Sequence, residues 1–214
     1  GWAEQAPLPA TQFLNDIWGS GPDDLWAVGL AGLVLHYDGV AWSQLEVPII
    51  VDFQGVWGRA ADDVFIVGKS GVVLHWDGAA FTVISALTDQ NLRAVFATGP
   101  SDVYAVGNMG TVMHYGGLAW GLSPVQPLPA GEGETEPILD TLNAVGGASP
   151  TDLWAAGADG RMLRFDGALW VDQDLKFGIT LRGLYAQAVD DVWAVGNTGH
   201  ILHFDGETWT TRDS

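Results

Sequence analysis

Short stretches in which apolar and polar residues alternate recur along almost the whole chain, and glycines separate them. The stretches are rich in β-branched and aromatic residues, and a glycine follows every 8 to 12 residues. A period of two with this punctuation is typical of short β-strands joined by tight turns. In the first part of the chain it predicts four strands, at about 14–19, 24–29, 33–38 and 41–47.

A six-residue motif that recurs along the chain shows that the predicted strands are organised in repeats. The run Asp-Leu-Trp-Ala-Val-Gly at 24–29 returns four times, at intervals of 39, 39, 50 and 39 residues. The later copies begin at Asp63, Asp102, Asp152 and Asp191. Each copy continues with Gly-x-x-Gly, an apolar stretch, an Asp-Gly or Gly-Gly step and an aromatic residue. Both glycine motifs are expected to supply the positive φ angles of hairpin turns.

Five units of four antiparallel strands, none able to cover its own faces, predict an all-β fold: a five-bladed β-propeller with four antiparallel strands per blade. We expect one propeller domain over 1–214. Its predicted blades span approximately 14–52, 53–91, 92–141, 142–180 and 181–214. Residues 1–13 contain Trp2-Ala3-Glu4-Gln5, which matches the start of a fourth strand. Either this extra strand closes the ring, or it is a spare strand of a longer propeller.

The aromatic residues fall at four repeated phases, one on each predicted strand, which indicates packing between blades. The repeat as a whole, Asp-aromatic-Ala-Val-Gly, Gly-x-x-Gly, an apolar strand, His-aromatic-Asp-Gly and Trp, resembles the bacterial β-propeller repeats grouped with the BNR, kelch and WD-type families. The resemblance covers about 14–213. The architecture is also similar to that of the tachylectin-like lectins. These resemblances imply the fold, which carries lectins, glycosidases and scaffolds alike.

Residues that recur in every copy are interpreted as part of the scaffold. The motif aspartates precede the second strand, where a carboxylate is expected to accept backbone N–H groups of the turn. Calcium is the alternative, because Asp23, Asp62 and Asp190 place a second carboxylate beside three of them. One phase of the third strand carries His36, His75, His114 and His203, with Arg164 in the fourth copy. We expect hydrogen bonds from these histidines to the motif aspartates, as in the network of WD repeats, and no metal.

The charge of the chain excludes some classes of partner. With 26 acidic residues against 8 Lys and Arg, the formal net charge is −18, which disfavours nucleic acid and anionic membrane surfaces. No apolar run reaches the roughly 20 residues of a membrane span. The chain has no cysteine and little lysine, so we expect an exported bacterial protein that is secreted, periplasmic or on the cell surface. None of the common catalytic motifs is present.

Polar residues that differ among the copies predict a ligand site on one face of the propeller, the top face, where the loops between second and third strands lie. The candidate ligand-binding residues are Asn15, Gln54, Arg93, Asn143, Arg182, Lys69, Asn108, Asp159 and Asn197. The 11-residue insertion within 124–140 lies on the same face. It carries Glu132, Glu134 and Glu136, and is either an acidic flap or a plain solvated loop.

The sequence therefore predicts a noncatalytic binding or interaction module without a cofactor, with a protein or carbohydrate ligand at the mouth of the central channel. One alternative is a lectin-like propeller that uses Trp42, Trp120, Trp170 and Trp209 as sugar platforms. The other alternative is a five-bladed glycosidase. Its catalysis would need two carboxylates at the axis, and Asp16 is the one acid that the prediction places there. We expect a monomer, with a dimer through the spare strand as the alternative.

Overall fold

The computed structural model describes residues 9–85, 87–126, 138–173, 175 and 177–212. The chain divides into two compact units, Gly1–Asn91 and Leu92–Ser214. The predicted strand at Trp2–Gln5 and the acidic residues Glu132, Glu134 and Glu136 lie outside the described residues.

The first unit contains two four-stranded sheets, called here blade 1 and blade 2. Blade 1 consists of β1 (Leu14–Gly21), β2 (Asp24–Gly29), β3 (Val34–Tyr37) and β4 (Trp42–Gln44). Blade 2 consists of β5 (Phe53–Ala60), β6 (Asp63–Gly68), β7 (Val72–Trp76) and β8 (Phe81–Ser85). In each sheet the strands pair antiparallel in chain order.

The second unit contains blades 3, 4 and 5. Blade 3 consists of β9 (Leu92–Gly99), β10 (Asp102–Gly107), β11 (Val112–Tyr115) and β12 (Trp120–Leu122). A short strand, β13 (Val125–Gln126), joins the outer edge of blade 4 by parallel pairing with β17 (Trp170–Asp172). Blade 4 itself consists of β14 (Leu142–Ser149), β15 (Asp152–Gly157), β16 (Met162–Phe165) and β17 (Trp170–Asp172). Blade 5 consists of β18 (Leu181–Ala188), β19 (Asp191–Gly196), β20 (Ile201–Phe204) and β21 (Trp209–Arg212).

Strand register places equivalent residues of the repeat in rows across each blade. The row that contains the repeated histidine, called here the histidine row, holds one residue from each of the four strands. In blade 3 it is Phe96, Tyr104, His114 and Gly121. In blade 4 it is Gly146, Trp154, Arg164 and Val171. In blade 5 it is Tyr185, Trp193, His203 and Thr210. The same face of each blade therefore presents the same phase of the repeat.

Aromatic residues of adjacent blades fill the spaces between sheets inside each unit. In the first unit, the Trp26 ring lies 5.7 Å from Trp76 and 6.3 Å from Phe81. In the second unit, Tyr104 lies 5.5 Å from Phe165 and 5.7 Å from Trp170. These tilted contacts are the usual geometry of aromatic pairs and make the cores of the units. They support the interpretation of the aromatic phases as packing between blades.

The Gly-x-x-Gly turns differ from the expectation in one detail. Each is a 3₁₀ turn in which the first glycine is extended, as at Gly29, where φ is −164°. Positive φ falls on the second glycine and on the non-glycine residue before it. Those residues are Ala31, Ser70, Met109, Asp159 and Thr198, with φ between 52° and 58°.

The hairpins between third and fourth strands follow the prediction more closely. Gly39, Gly78, Gly117, Gly167 and Gly206 have positive φ. In four blades the aspartate before the glycine accepts two backbone N–H groups of the turn, as Asp38 does from Ala41 and Val40, both at 2.9 Å. Blade 3 has Gly116 in place of that aspartate.

The five consecutive four-stranded antiparallel sheets confirm the predicted fold class, a five-bladed β-propeller.

Candidate functional site

Each repeated histidine binds the motif aspartate of its own blade, as predicted. Nε2 lies 2.7 Å from the aspartate in blades 1 and 2, and 2.8 Å in blades 3 and 5. The spacing of 12 residues places the aspartate at the start of the second strand and the histidine on the third, where register brings them together. The expectation that the motif aspartates accept backbone N–H groups of the turn is wrong, because their partners are side chains.

The second oxygen of the aspartate also has a partner in three of these networks, and in blade 2 this partner is Arg59, which forms an ion pair with Asp63 Oδ2. Ser20 donates to Asp24 Oδ2 at 2.5 Å, and Thr98 donates to Asp102 Oδ2. The aspartate thus lies between the hydroxyl and the imidazole. In a hydrolytic triad the histidine occupies that central position and takes the proton of the nucleophile. Here the Thr98 hydroxyl donates to one oxygen of the Asp102 carboxylate and the imidazole binds the other, so the imidazole is not placed to take the hydroxyl proton.

A cleft of about 460 Å³ lies between blade 3 and blade 4. One wall consists of Tyr104, His114 and Gly121 of the histidine row of blade 3 together with the exposed Leu122 and the adjoining Pro124. The other wall is formed by Phe165 and by turn residues of blade 4, including Pro150. The cleft therefore combines apolar surface with polar side chains, which are those of Asp102, Tyr104, His114 and Ser123.

Gly121 explains why the cleft is open at this place. On the fourth strand of the histidine row it lies opposite His114, where the other blades carry Ser43, Thr82, Val171 and Thr210. A Cβ atom placed on Gly121 would meet nothing within 4 Å. The His114 side chain is 35% exposed, against 26%, 28% and 16% for His36, His75 and His203 and 34% for Arg164.

The hydrogen bond to Asp102 fixes the chemistry of His114. Because a carboxylate can only accept, Nε2 carries the proton, and Nδ1 of the neutral ring is an acceptor. Among the residues that the structure describes, this Nδ1 has no hydrogen-bond partner. The ring stacks on Tyr104 at 4.4 Å. Burial, followed by the nearby Asp102 carboxylate, raises the pKa of Tyr104, so its hydroxyl stays neutral.

The equivalent space between blade 4 and blade 5 is filled by the protein itself. There the histidine row carries Arg164, whose guanidinium carbon lies 4.9 Å from the centre of the Trp154 ring and 5.4 Å from that of Phe204. Arg164 Nε donates to Asp152 at 2.7 Å. Val171 occupies the position that Gly121 has in blade 3. We call this the filled cleft, and the space beside His114 the open cleft.

Several of the predicted ligand-binding residues contact one another or the backbone. Nδ2 of Asn15 donates to the Phe53 carbonyl at 2.6 Å, and Asn143 makes the equivalent bond to Leu181 at 2.9 Å. Both bonds join adjacent blades of one unit, so these amides help to seal the blades. Gln54 donates weakly to its neighbouring Phe53 carbonyl at 3.5 Å.

The basic residues of that set bind polar partners at the same end of their own blades. Arg93 donates to Asn108 at 2.9 Å and Arg182 to Asn197 at 3.1 Å. Lys69 forms an ion pair with Asp52 at 2.6 Å. Asp159 is exposed and takes the positive-φ position of its turn. The top face as a ligand site stays a prediction, and its donors are partly used inside the protein.

The residues named for the two alternatives are placed less favourably. Trp120 is 2% exposed and Trp170 0%, so neither ring can act as a sugar platform, which corrects that expectation. Asp16 Oδ2 accepts the Val56 N–H at 2.9 Å, and Oδ1 accepts that of Ile17. Burial raises the pKa of Asp16 against the lowering effect of these bonds. Its carboxylate joins blade 1 to blade 2.

The described part of the chain contains no group of three or more histidine, aspartate or glutamate side chains that could hold a metal ion. It also contains no helix long and apolar enough to cross a membrane.

The open cleft was not predicted from the sequence. The sequence pattern assigns the repeated histidines and motif aspartates to the scaffold and favours the loops at the other end of the blade as the ligand site. One signal was present: among the five fourth strands, only the third copy has glycine directly after the repeated aromatic, at Gly121.

Sheets of this number and pairing define the class of protein as a β-propeller. The chain is similar in fold to the β-propeller domain of Cps50 (Swd1) from Myceliophteria thermophila, with 13% identity and a TM-score of 0.70, over 92% of this chain and 69% of that one. It is similar to the WD40 repeats of RRP9 at 10% identity and a TM-score of 0.69, over 91% of this chain and 63% of that one.

A third solved structure, YCF48 from Cyanidioschyzon merolae, matches at 20% identity and a TM-score of 0.50, over 98% of this chain and 87% of that one. At these identities the likeness concerns the fold alone. No family model matches the sequence, and no curated protein matches it. The chain is thus a propeller of the repeat type, and the assignment to BNR or kelch repeats remains a prediction.

Proposed function

We propose that the protein is a noncatalytic binding module that holds a short segment of a partner polypeptide in the open cleft. The observation that carries this proposal is the cleft itself, which has both apolar and polar lining residues and includes the partly exposed His114 side chain. Its volume of about 460 Å³ falls in the range of ligand sites and is suited to one or two side chains.

The lining supports a polypeptide rather than a sugar as the ligand. Leu122, Pro124, Pro150 and Phe165 contribute apolar surface, which suits the side chains of a polypeptide, beside the polar groups that could bind its N–H donors. The aromatic rings named for a lectin site include two that are buried. Protein is therefore the preferred class of partner.

The absence of a catalytic role is part of the proposal. Support comes from the order of the Thr98, Asp102 and His114 network, in which the hydroxyl and the imidazole bind opposite oxygens of one carboxylate. A setting outside the cytoplasm, in a bacterium, is likewise proposed. It is supported by the lack of cysteine and the net charge of −18.

A selection from a random peptide display library tests the function. Peptides selected on the wild-type protein are measured against Gly121→Val, which places a side chain in the cleft. Gly21→Val is the matched control, because a Cβ at Gly21 also meets nothing within 4 Å and Gly21 does not line the cleft. We expect selected peptides to bind wild type and the control equally, and Gly121→Val about 10-fold or more weakly.

Thermal unfolding of both variants establishes that they are folded. Peptides that bind wild type and Gly121→Val with the same affinity would show that the open cleft is not the site.

A further inference from the structure

The filled cleft shows which side chain fits between two blades of this repeat. Its walls, Trp154 and Phe204, occupy the same phases of the repeat as Tyr104 and Phe165 in the open cleft. Trp154 lies 4.9 Å from Phe204, and Tyr104 lies 5.5 Å from Phe165. In the filled cleft the guanidinium of Arg164 lies over both rings. Arg164 stands at the row position of His114, so its place over Trp154 corresponds to that of the His114 ring over Tyr104. Its contact with Phe204 shows that a guanidinium fits at the place that corresponds to Phe165 in the open cleft.

Blade 5 supplies a second, independent example. Nε2 of His203 binds Asp191, as in the other blades, and its Nδ1 accepts a hydrogen bond from the Arg212 guanidinium at 3.0 Å. An imidazole whose Nε2 proton is held by aspartate therefore presents an acceptor that arginine can use. His114 has the same Nε2 bond, lines the open cleft, and has no partner for Nδ1 among the described residues.

From these two arrangements we infer that the open cleft recognises an arginine side chain of the bound polypeptide. The inference rests on the proposed function and names its anchor. The guanidinium donates to His114 Nδ1 and lies beside Phe165, with the Asp102 carboxylate close to the imidazole. The propylene stem contacts Leu122 and Pro124, as arginine stems commonly cover apolar surface.

Charge and shape both favour arginine over other side chains. The chain carries a formal net charge of −18, which attracts cationic segments. Arginine presents several N–H groups in one plane and stacks on aromatic rings, whereas lysine is a compact and strongly hydrated charge. A neutral side chain of the same shape would keep the hydrogen bond but lose the attraction to the carboxylate and the ring faces.

Three capped tripeptides test the inference: acetyl-Ala-Arg-Ala-amide, the same peptide with lysine, and the same peptide with citrulline, which has the shape of arginine without its charge. The readout is the imidazole ¹⁵N signal of His114, assigned with His114→Gln. We expect a saturable shift with the arginine peptide, with a dissociation constant on the order of 1–10 mM. Citrulline should bind about 10-fold or more weakly, and lysine about 3-fold or more weakly.

The same variants serve as controls. Gly121→Val should abolish the shift and Gly21→Val should keep it. Equal binding of arginine and citrulline, no saturable shift with arginine, or a shift that survives Gly121→Val overturns the inference. If the display selection gives peptides that depend on Gly121 but lack arginine, the inference fails while the proposed function stands. If the arginine tripeptide binds but no selected peptide depends on Gly121, the proposed function fails while the arginine subsite stands.

Discussion

The open cleft and the filled cleft are built from the same phases of one repeat, and they differ at two main positions of the histidine row. The blade before the open cleft carries His114 and Gly121, whereas the blade before the filled cleft carries Arg164 and Val171. Both clefts have an aromatic residue on each wall. The comparison teaches that a cleft can form at a seam between blades when the repeat omits a side chain, without any new loop.

The largest expected effect comes from emptying the filled cleft. Arg164→Ala removes the partner of Asp152, whose side chain is only 8% exposed, and leaves a buried charge. We expect a loss of about 2–3 kcal/mol in the free energy of unfolding, measured by urea denaturation. His114→Ala should cost only about 1 kcal/mol, because Asp102 is 26% exposed and keeps its bond from Thr98.

The conservative variant Arg164→His is the control for that pair. It restores the histidine found in the other blades and should recover a large part of the loss. Equal destabilisation by Arg164→Ala and His114→Ala would show that the filled cleft depends on Arg164 no more than the open cleft depends on His114. The comparison of the two clefts would then fail.

A smaller effect is expected from completing the network beside Arg164. Oδ2 of Asp152 is buried and has no hydrogen-bond partner among the described residues. Ser20 and Thr98, each four residues before the motif aspartate, bind this oxygen in blades 1 and 3, but blade 4 has Ala148 there. Ala148→Thr should therefore stabilise the protein by about 1 kcal/mol relative to Ala148→Val, which has the same shape without the hydroxyl.

Urea denaturation of the two Ala148 variants measures this difference. Equal stability of the threonine and valine variants would mean that the orphaned oxygen carries no cost, and that the motif network is not a source of stability in blade 4.

The smallest expected effect concerns the hairpin turn in the blade before each cleft. In blade 4, backbone N–H groups of Leu169 and then Ala168 lower the pKa of Asp166. The equivalent turn of blade 3 begins with Gly116, where an added Cβ would meet nothing within 4 Å. Gly116→Asp should raise the midpoint of thermal unfolding at neutral pH by about 1–3 °C.

The gain should depend on pH with a definite sign. A carboxyl whose pKa is lower in the folded than in the unfolded state stabilises the protein above its unfolded value, and the contribution disappears as pH falls through the folded value. Thermal unfolding near pH 7 and near pH 2–3 should therefore show the difference between Gly116→Asp and Gly116→Asn at neutral pH only. A difference that persists in acid would assign the gain to the loss of glycine flexibility.

The strands and the fold could be predicted because the same pattern of strands and turns occurs in five copies along the chain. Period-two alternation, the hairpin glycines and the aromatic phases each have a direct structural meaning, and the pairs of His and Asp follow from their spacing of 12 residues. The partners of the candidate site residues could not be predicted. Arg93 meets Asn108 across a 3₁₀ turn, and Asn15 reaches a carbonyl 38 residues away in the next blade.

The open cleft was hidden from the sequence for a different reason. The open cleft arises because residue 121, on the fourth strand, is a glycine and has no side chain. A prediction from sequence relies instead on the polar side chains that are present. Other glycines also lie inside strands, among them Gly55, Gly58 and Gly146, so one more glycine inside a strand does not stand out in the sequence. Its meaning depends on the wall supplied by the next blade, which only the packing of the sheets shows.

The protein could gain stability at its five 3₁₀ turns, because each places a non-glycine residue at positive φ. Ala31, Ser70, Met109, Asp159 and Thr198 adopt left-handed backbone angles that cost a non-glycine residue about 1 kcal/mol each, and most for the β-branched Thr198. All five lie at the ends of the blades away from the hairpin turns that border the open cleft. Glycine or asparagine at these places should therefore stabilise the scaffold while the lining of the open cleft stays unchanged, which makes the repeat a convenient starting point for engineering.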